Sequence, residues 1–321
     1  MRARRGVALL TALWLVVAIA AVALQFSLDA RERRQLGVDA SERGEARAAA
    51  TGALALVQSR LDKALRNVAG NNARTARLRS SDPWLDVDSL YSGPVTIDTT
   101  ISVGVRARDL GAQLNINQLT EDQLRTFFGF VLKEFAVADV LAQSVADWRD
   151  PDDIARPRGG ERDDYIKAGR LALPANGPFR EIEELLQVQG MTPAIFQRVQ
   201  PYLTTHGSGI VNLNTAPEPV LRAVPGVTDA IVAQILSLRS QGQRIQSVAQ
   251  VLAPSQRGRP PQGPNDPGFA QQQQLTARTT VQTTQVELTL IAQSGPQAHP
   301  ARLTAIVTRA GNNALVTWRQ W

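Results

Sequence analysis

The chain has 321 residues, 43% of them apolar, enough for two ordinary domains with buried cores and too many for a disordered polymer. It has no cysteine and two histidines, His206 in "TTHGSG" and His299 in "PQAHP". Disulfides and thiolate chemistry are thereby excluded, and a histidine-based catalytic or metal centre has little to build on. The net charge of +6 comes from scattered arginines that cluster only at Arg2, Arg4, Arg5 and at Arg31, Arg33, Arg34, whereas nucleic-acid binders gather charge on one face.

The first element is an apolar helix. Val7 to Leu28 gives 22 residues without formal charge, proline or glycine. At about 1.5 Å per residue, roughly 20 residues cross a bilayer core of about 30 Å. A cleaved secretory signal would have a shorter apolar centre of roughly 7–15 residues and a small-x-small site, for which "AVA" at 21–23 is available. Against that reading, no proline follows before Pro83, and helical periodicity continues well past the apolar run. Ala46, Ala49, Ala50, Ala53, Leu54, Val57, Leu61 and Leu65 recur at spacings of three and four, as one buried helical face requires. Arginines before and after the span nearly balance, so charge alone does not orient it.

Pro83, Gly93 and Pro94 end the helix. From Val95 to Ala107 apolar and polar residues alternate, which predicts a half-buried strand; "RDLGA" turns the chain and "QLNIN" returns as a short second strand. The block 117–253 reads as helical. Pro254 to Gln274 is rich in proline, glycine and glutamine and reads as a flexible connection. The segments 276–293, 301–310 and 314–321 are rich in β-branched residues, with "GNN" at 311–313 as a hairpin turn. Strands from both ends of the chain are expected to form one sheet covering the strand at 95–107.

The helical block contains an echo. "NINQLTEDQL" (115–124) matches "NLNTAPEPVL" (212–221) as Asn-x-Asn-x₆-Leu, a strand end running into a helix that Thr215 can cap and Pro217 can open. "VLRAVPGVTDAIVAQIL" resembles a helix-hairpin-helix module, and "FREIEELLQVQGMTPAIFQRV" is a looser relative. DNA-binding versions place hairpin amides on phosphate. Here Thr228 stands where a second glycine is expected, and nearby basic residues amount to Arg222 and Arg239.

Residues 147–164 hold seven carboxylates: Asp147, Asp150, Asp152, Asp153, Glu161, Asp163 and Asp164. Hard oxygen donors suit calcium, and Asp150, Asp152 and Glu161 fall at loop positions 1, 3 and 12 of an EF-hand. Ile154 and Ala155 break that pattern. Arg149, Arg156, Arg158 and Arg162 offer a second account, a solvated salt-bridge loop.

"RRG" followed by "VALLT", with Thr11 where most pilins have glutamate, together with "DWRDPDD…GGERDDY…NGPFREIEELL" and "VNLNTAPEPVL", resembles the K-type minor pseudopilin family of bacterial type II secretion (general secretion pathway protein K). The resemblance covers nearly the whole chain. It implies an α+β fold: a pilin-like long N-terminal helix packed on an antiparallel sheet, with a large all-α insertion domain. The corresponding division is a prepilin leader at 1–6, the transmembrane part of the helix at 7–28, and the remaining helix and first strands at 29–116. The insertion with helix-hairpin-helix-like motifs follows at 117–253, a flexible linker at 254–275, and the C-terminal strands at 276–321.

The resemblance further implies cleavage between Gly6 and Val7 with methylation of the new terminus, and a single-pass inner-membrane anchor with the C-terminal domain in the periplasm. It implies a non-enzymatic role at the pseudopilus tip, initiating assembly for protein export across the outer membrane. Its partners are minor pseudopilins of the I and J types, with an H type as a further candidate, and the inner-membrane secretion platform. No small-molecule substrate is implied. The resemblance also implies calcium in the insertion, with Asp147, Asp150, Asp152, Glu161, Asp163 and Asp164 as the candidate ligands. The competing reading is a membrane-tethered helix-hairpin-helix DNA-binding protein of competence type.

Overall fold

The computed structural model describes residues 3–70, 82–97, 101–252, 267–294 and 299–321. Helix α1 (Ala3–Gly70) runs unbroken. Along it the described apolar side chains up to Leu28, among them Trp14, Ile19 and Phe26, are exposed, and the helix is long and apolar enough to cross a membrane. Further on, the eight residues predicted from periodicity, Ala46 to Leu65, are all buried. Their four alanines let the helix lie close to the sheet, where it meets inward side chains such as Val103, Leu288, Leu290, Leu303 and Val307. The Trp84 indole N–H donates to Leu61 O (3.1 Å) from a fully buried ring, fixing the chain that leaves α1 back onto it.

After α2 (Val87–Leu90), β1 (Gly93–Thr96) and β2 (Ser102–Asp109) form an antiparallel hairpin with Val95 opposite Val103. The sequence predicts one strand over 95–107. A hairpin whose two arms present odd-numbered residues to the same face keeps the same alternation, so periodicity could not reveal the turn. The sheet is completed by β7 (Gln285–Ala292), β8 (Ala301–Ala310) and β9 (Asn313–Gln320), in the order β1-β2-β7-β8-β9 and antiparallel throughout. It does draw on both ends of the chain, and Gly311 makes its final turn in the left-handed region (φ 60°).

Between β2 and β7 lie β3 (Leu114–Asn115), α3 (Glu121–Leu132), α4 (Phe135–Arg149), α5 (Arg162–Lys167), α6 (Pro193–Val199), β4 (Leu203–Thr204), β5 (Val211–Asn212), α7 (Glu218–Arg222), α8 (Asp229–Ser240), α9 (Pro267–Arg278) and β6 (Thr279–Thr280). They surround a core of their own, centred on Phe127, Phe128, Leu141, Trp148, Leu185 and Leu221. Three expectations need correction. "QLNIN" does not return along β2: β3 pairs in parallel with β4, and β5 pairs in parallel with β6, so the lobe is not purely helical. The segment expected as a flexible connection to 275 ends in α9, where the glutamine run extends the helix; 253–266 lies outside the described residues. Thr215 does not cap a helix. Its hydroxyl donates to the buried Asp109 (2.6 Å), and Pro217 stands at the start of α7.

The echo of Asn-x-Asn is structural. Asn115 and Asn212 each turn the chain by accepting from the amide two residues on (both 3.0 Å). Each following asparagine then grips the peptide groups of one distant residue. Asn117 bonds both N–H and C=O of Phe179 (2.8 and 2.9 Å), and Asn214 does the same to Ile245 (both 2.9 Å). A side-chain amide mimics a strand partner there, satisfying buried backbone that no sheet reaches.

Candidate functional site: the acidic loop

Helix α4 ends because Asp150 precedes Pro151, which disfavours helical backbone at the residue before it. This leaves Asp147 fully buried in the last turn and Asp150 at its lip. The chain then loops back through Gly159 and Gly160 to Glu161, which opens α5. Gly159 is required by space: a Cβ there would lie 1.8 Å from Asp147 Oδ2, and one on Gly160 would lie 2.3 Å from Gln189 Oε1. Gln189 also donates to Gly159 O (3.2 Å), and Arg158 N–H donates to Gln143 Oε1 (2.9 Å). Beneath the loop, Trp148 stacks on Phe179 with ring centroids 6.1 Å apart, and buried Tyr165 accepts from Gln189 N–H (2.7 Å). The loop is built, not draped. Gly159→Ala is therefore expected to destabilise the protein by about 1–3 kcal/mol, because neither Asp147 nor the helix holding it can yield; chemical denaturation measures it.

Among the described residues, Asp150, Asp152 and Glu161 offer carboxylate oxygens within 4.8 Å of one another. The other three predicted ligands do other work. Asp147 is bound by the Arg156 guanidinium and by its backbone N–H (3.2 Å). Asp164 accepts from Glu161 N–H (3.1 Å) at the start of α5, and Asp163 points into solvent. Arg156 is the hub that sequence reasoning left as one of four arginines. It reaches Asp147, Asp150 Oδ2 (2.6 Å) and Glu121 Oε2 (3.1 Å). Burial opposes its charge, but its hydrogen bonds to Asp150 and Asp147 outweigh that and raise its pKa. Glu121, 35 residues away, and Asn176, which donates to Asp153 Oδ1 (2.9 Å), carry no sequence signal for this loop.

Arg156 does not reach everything. Glu161 is 3% exposed, yet neither of its carboxylate oxygens has a hydrogen-bond partner, and Asp150 Oδ1 is equally orphaned. Burial, and then the charges of Asp147, Asp150, Asp153 and Asp152, push the Glu161 pKa up to about 7. A buried anion beside other anions, with three oxygens unsatisfied, fits a hard dication. The salt-bridge and calcium accounts thus divide the loop: Arg156 neutralises Asp147 and half of Asp150, leaving Asp150 Oδ1, Asp152 and Glu161 as oxygen donors.

The hairpin at Gly226 (φ 85°) leads into α8, capped by Thr228. Its basic neighbours are occupied. Arg222 pairs with Glu218 (2.9 Å) and Asp229 and lies over the Phe130 ring, while Arg239 donates to Ala216 O (2.5 Å). Asp229 at the helix N-terminus would repel phosphate. The surface lacks what a DNA backbone needs.

Residues 112–207 match the family model described as Type II secretion system (T2SS), protein K. A relative from Escherichia coli (strain K12), named as a type II secretion system protein K, is 28% identical, with 74% of this chain and 75% of the relative covered. Among solved structures, the fold matches a chain of the GspK-GspI-GspJ complex from the enterotoxigenic Escherichia coli Type 2 Secretion System, with a TM-score of 0.63 and 21% identity, over 90% of this chain and 98% of that one.

Proposed function

We propose that the chain is a K-type minor pseudopilin of type II secretion at the tip of the pseudopilus, where it initiates assembly and supports protein export across the outer membrane; the family-model match over 112–207 and the Escherichia coli relative support this reading. The observation that carries this reading is α1. One helix is exposed and apolar enough at its start to cross a membrane, and is buried against an antiparallel sheet at its end. Such a rod holds the subunit in the inner membrane, with the sheet and lobe in the periplasm. Partner helices can then pack along its exposed segment, and subunits added beneath would lift it. Thr11 fits a subunit with no neighbour above it, since a carboxylate unpaired within a bilayer is costly. Like the complex whose chain it matches in fold, it would assemble with I- and J-type subunits. Its role is that of an assembly component and not of a catalyst.

In this reading Asp150, Asp152 and Glu161 hold calcium, which supplies positive charge to a buried anionic loop. Asp147 and Arg156 set the loop's shape. The direct test is co-purification: full-length protein expressed in membranes with I- and J-type subunits and extracted in detergent is expected to elute with both. Elution of the chain alone would overturn the proposal.

A further inference from the structure

The two edges of the sheet differ. β1 is four residues long and carries Pro94, which blunts it against pairing. β9 is eight residues long, contains no proline and lies on the other edge. In an antiparallel ladder alternate residues turn N–H and C=O outward. Ala314 does so, and α1 covers it: Asp62 accepts from its N–H (2.9 Å) and Gln58 donates to its C=O (2.9 Å). The next outward positions are Val316 and, past the irregularity opposite Ile306 and Val307, Arg319. No described residue hydrogen-bonds their backbone groups. Beside this open stretch, Trp318, Gln320 and the 51% exposed Trp321 line one end of a groove of about 1200 Å³ between the sheet's outer face and the lobe.

We infer that β9 accepts an extended strand from a different polypeptide, a second pilin-type subunit, through the outward backbone groups of Val316 and Arg319, with alternate side chains of the added strand entering the groove beside Trp318. Main-chain bonds supply affinity in such additions and flanking pockets supply selectivity. A second copy of this chain does not fit. Antiparallel pairing of β9 with itself places a two-fold axis normal to the sheet, which reverses every direction lying in the sheet plane. The α1 helix of the second copy would then point away from the membrane that holds the first. A different subunit can present an edge strand while its own anchor helix runs parallel to α1.

The inference rests on the function proposed above, and the test separates the two. Arg319→Pro removes one outward donor while sparing the β8–β9 ladder; Arg319→Ala keeps the donor and removes the charge. In co-purification of the full chain with I- and J-type subunits, Arg319→Pro is expected to lower partner recovery at least tenfold, with Arg319→Ala unchanged. Hydrogen exchange on the unsubstituted chain gives an independent reading that does not depend on how the proline variant folds. The Val316 and Arg319 amides should exchange freely alone and be protected in the assembly. Full recovery with the proline variant, or equal exchange in both states, overturns the strand addition. If the unsubstituted chain recovers no partner, the proposed function itself is overturned.

Discussion

Calcium added to metal-free protein at pH 8 is expected to raise its melting temperature by about 4 °C, since a ligand at a hundred times its Kd stabilises by about 2.7 kcal/mol and a chain of this length unfolds with about 0.7 kcal/mol/K of entropy. Glu161 makes the test unusually sharp. Its pKa of about 7 in the folded protein lies above the ordinary 4.5, so the folded state holds its proton longer than the unfolded state does. Without metal, stability should therefore fall as pH rises from about 4.5 through about 7, by on the order of 3 kcal/mol in all. Glu161→Gln, which cannot ionise, should melt higher than the unsubstituted protein in chelator at pH 8, and it should lose the calcium response. The variant is thus stabilising without metal and destabilising, relative to the unsubstituted chain, with it. A loop held by Arg156 alone predicts neither sign change nor calcium shift; differential scanning calorimetry of the full-length protein in detergent distinguishes the two.

Processing should be all or none. Protein isolated from cells with prepilin peptidase is expected to lack residues 1–6 and to begin at Val7, read by intact mass. Replacing Gly6 with a bulky residue such as leucine should leave Met1–Gly6 attached, because the peptidase cuts after a residue with no side chain in the family that the leader resembles. The anchor would still insert, so the uncut chain should accumulate in membranes while secretion fails. A chain starting near Leu24 would instead show that the apolar run is a removable signal, and α1 would lose its bilayer half.

What the sequence made legible follows from the range of each signal. The buried face of α1 was readable residue by residue, because a helix repeats locally and eight positions at spacings of three and four leave little choice. The outer strands and the Gly311 turn were readable for the same reason. The β1–β2 turn was hidden by alternation that survives a hairpin, and α9 by a composition that describes flexible chains as well as it does an exposed helix. For the acidic loop, local spacing brought Asp150, Asp152 and Glu161 to notice. It could not separate them from Asp147, Asp163 and Asp164. That distinction depends on Arg156 folding back onto α4 and on Glu121, Gln189 and Asn176 arriving from elsewhere. The pair of glycines before Glu161 was the one local hint that the loop closes tightly.

The lobe departs from β2 at Asp109 and rejoins the sheet at β7, where Val286 is the register partner of that same residue. Its entrance and exit are therefore neighbours within one ladder. Lobe and sheet are joined there by more than the chain itself: Asn212 and Thr215 of the lobe both bond the buried Asp109 that ends β2. A force delivered along α1 would enter the sheet directly through the alanine face, and would reach the lobe by way of the strands that frame it.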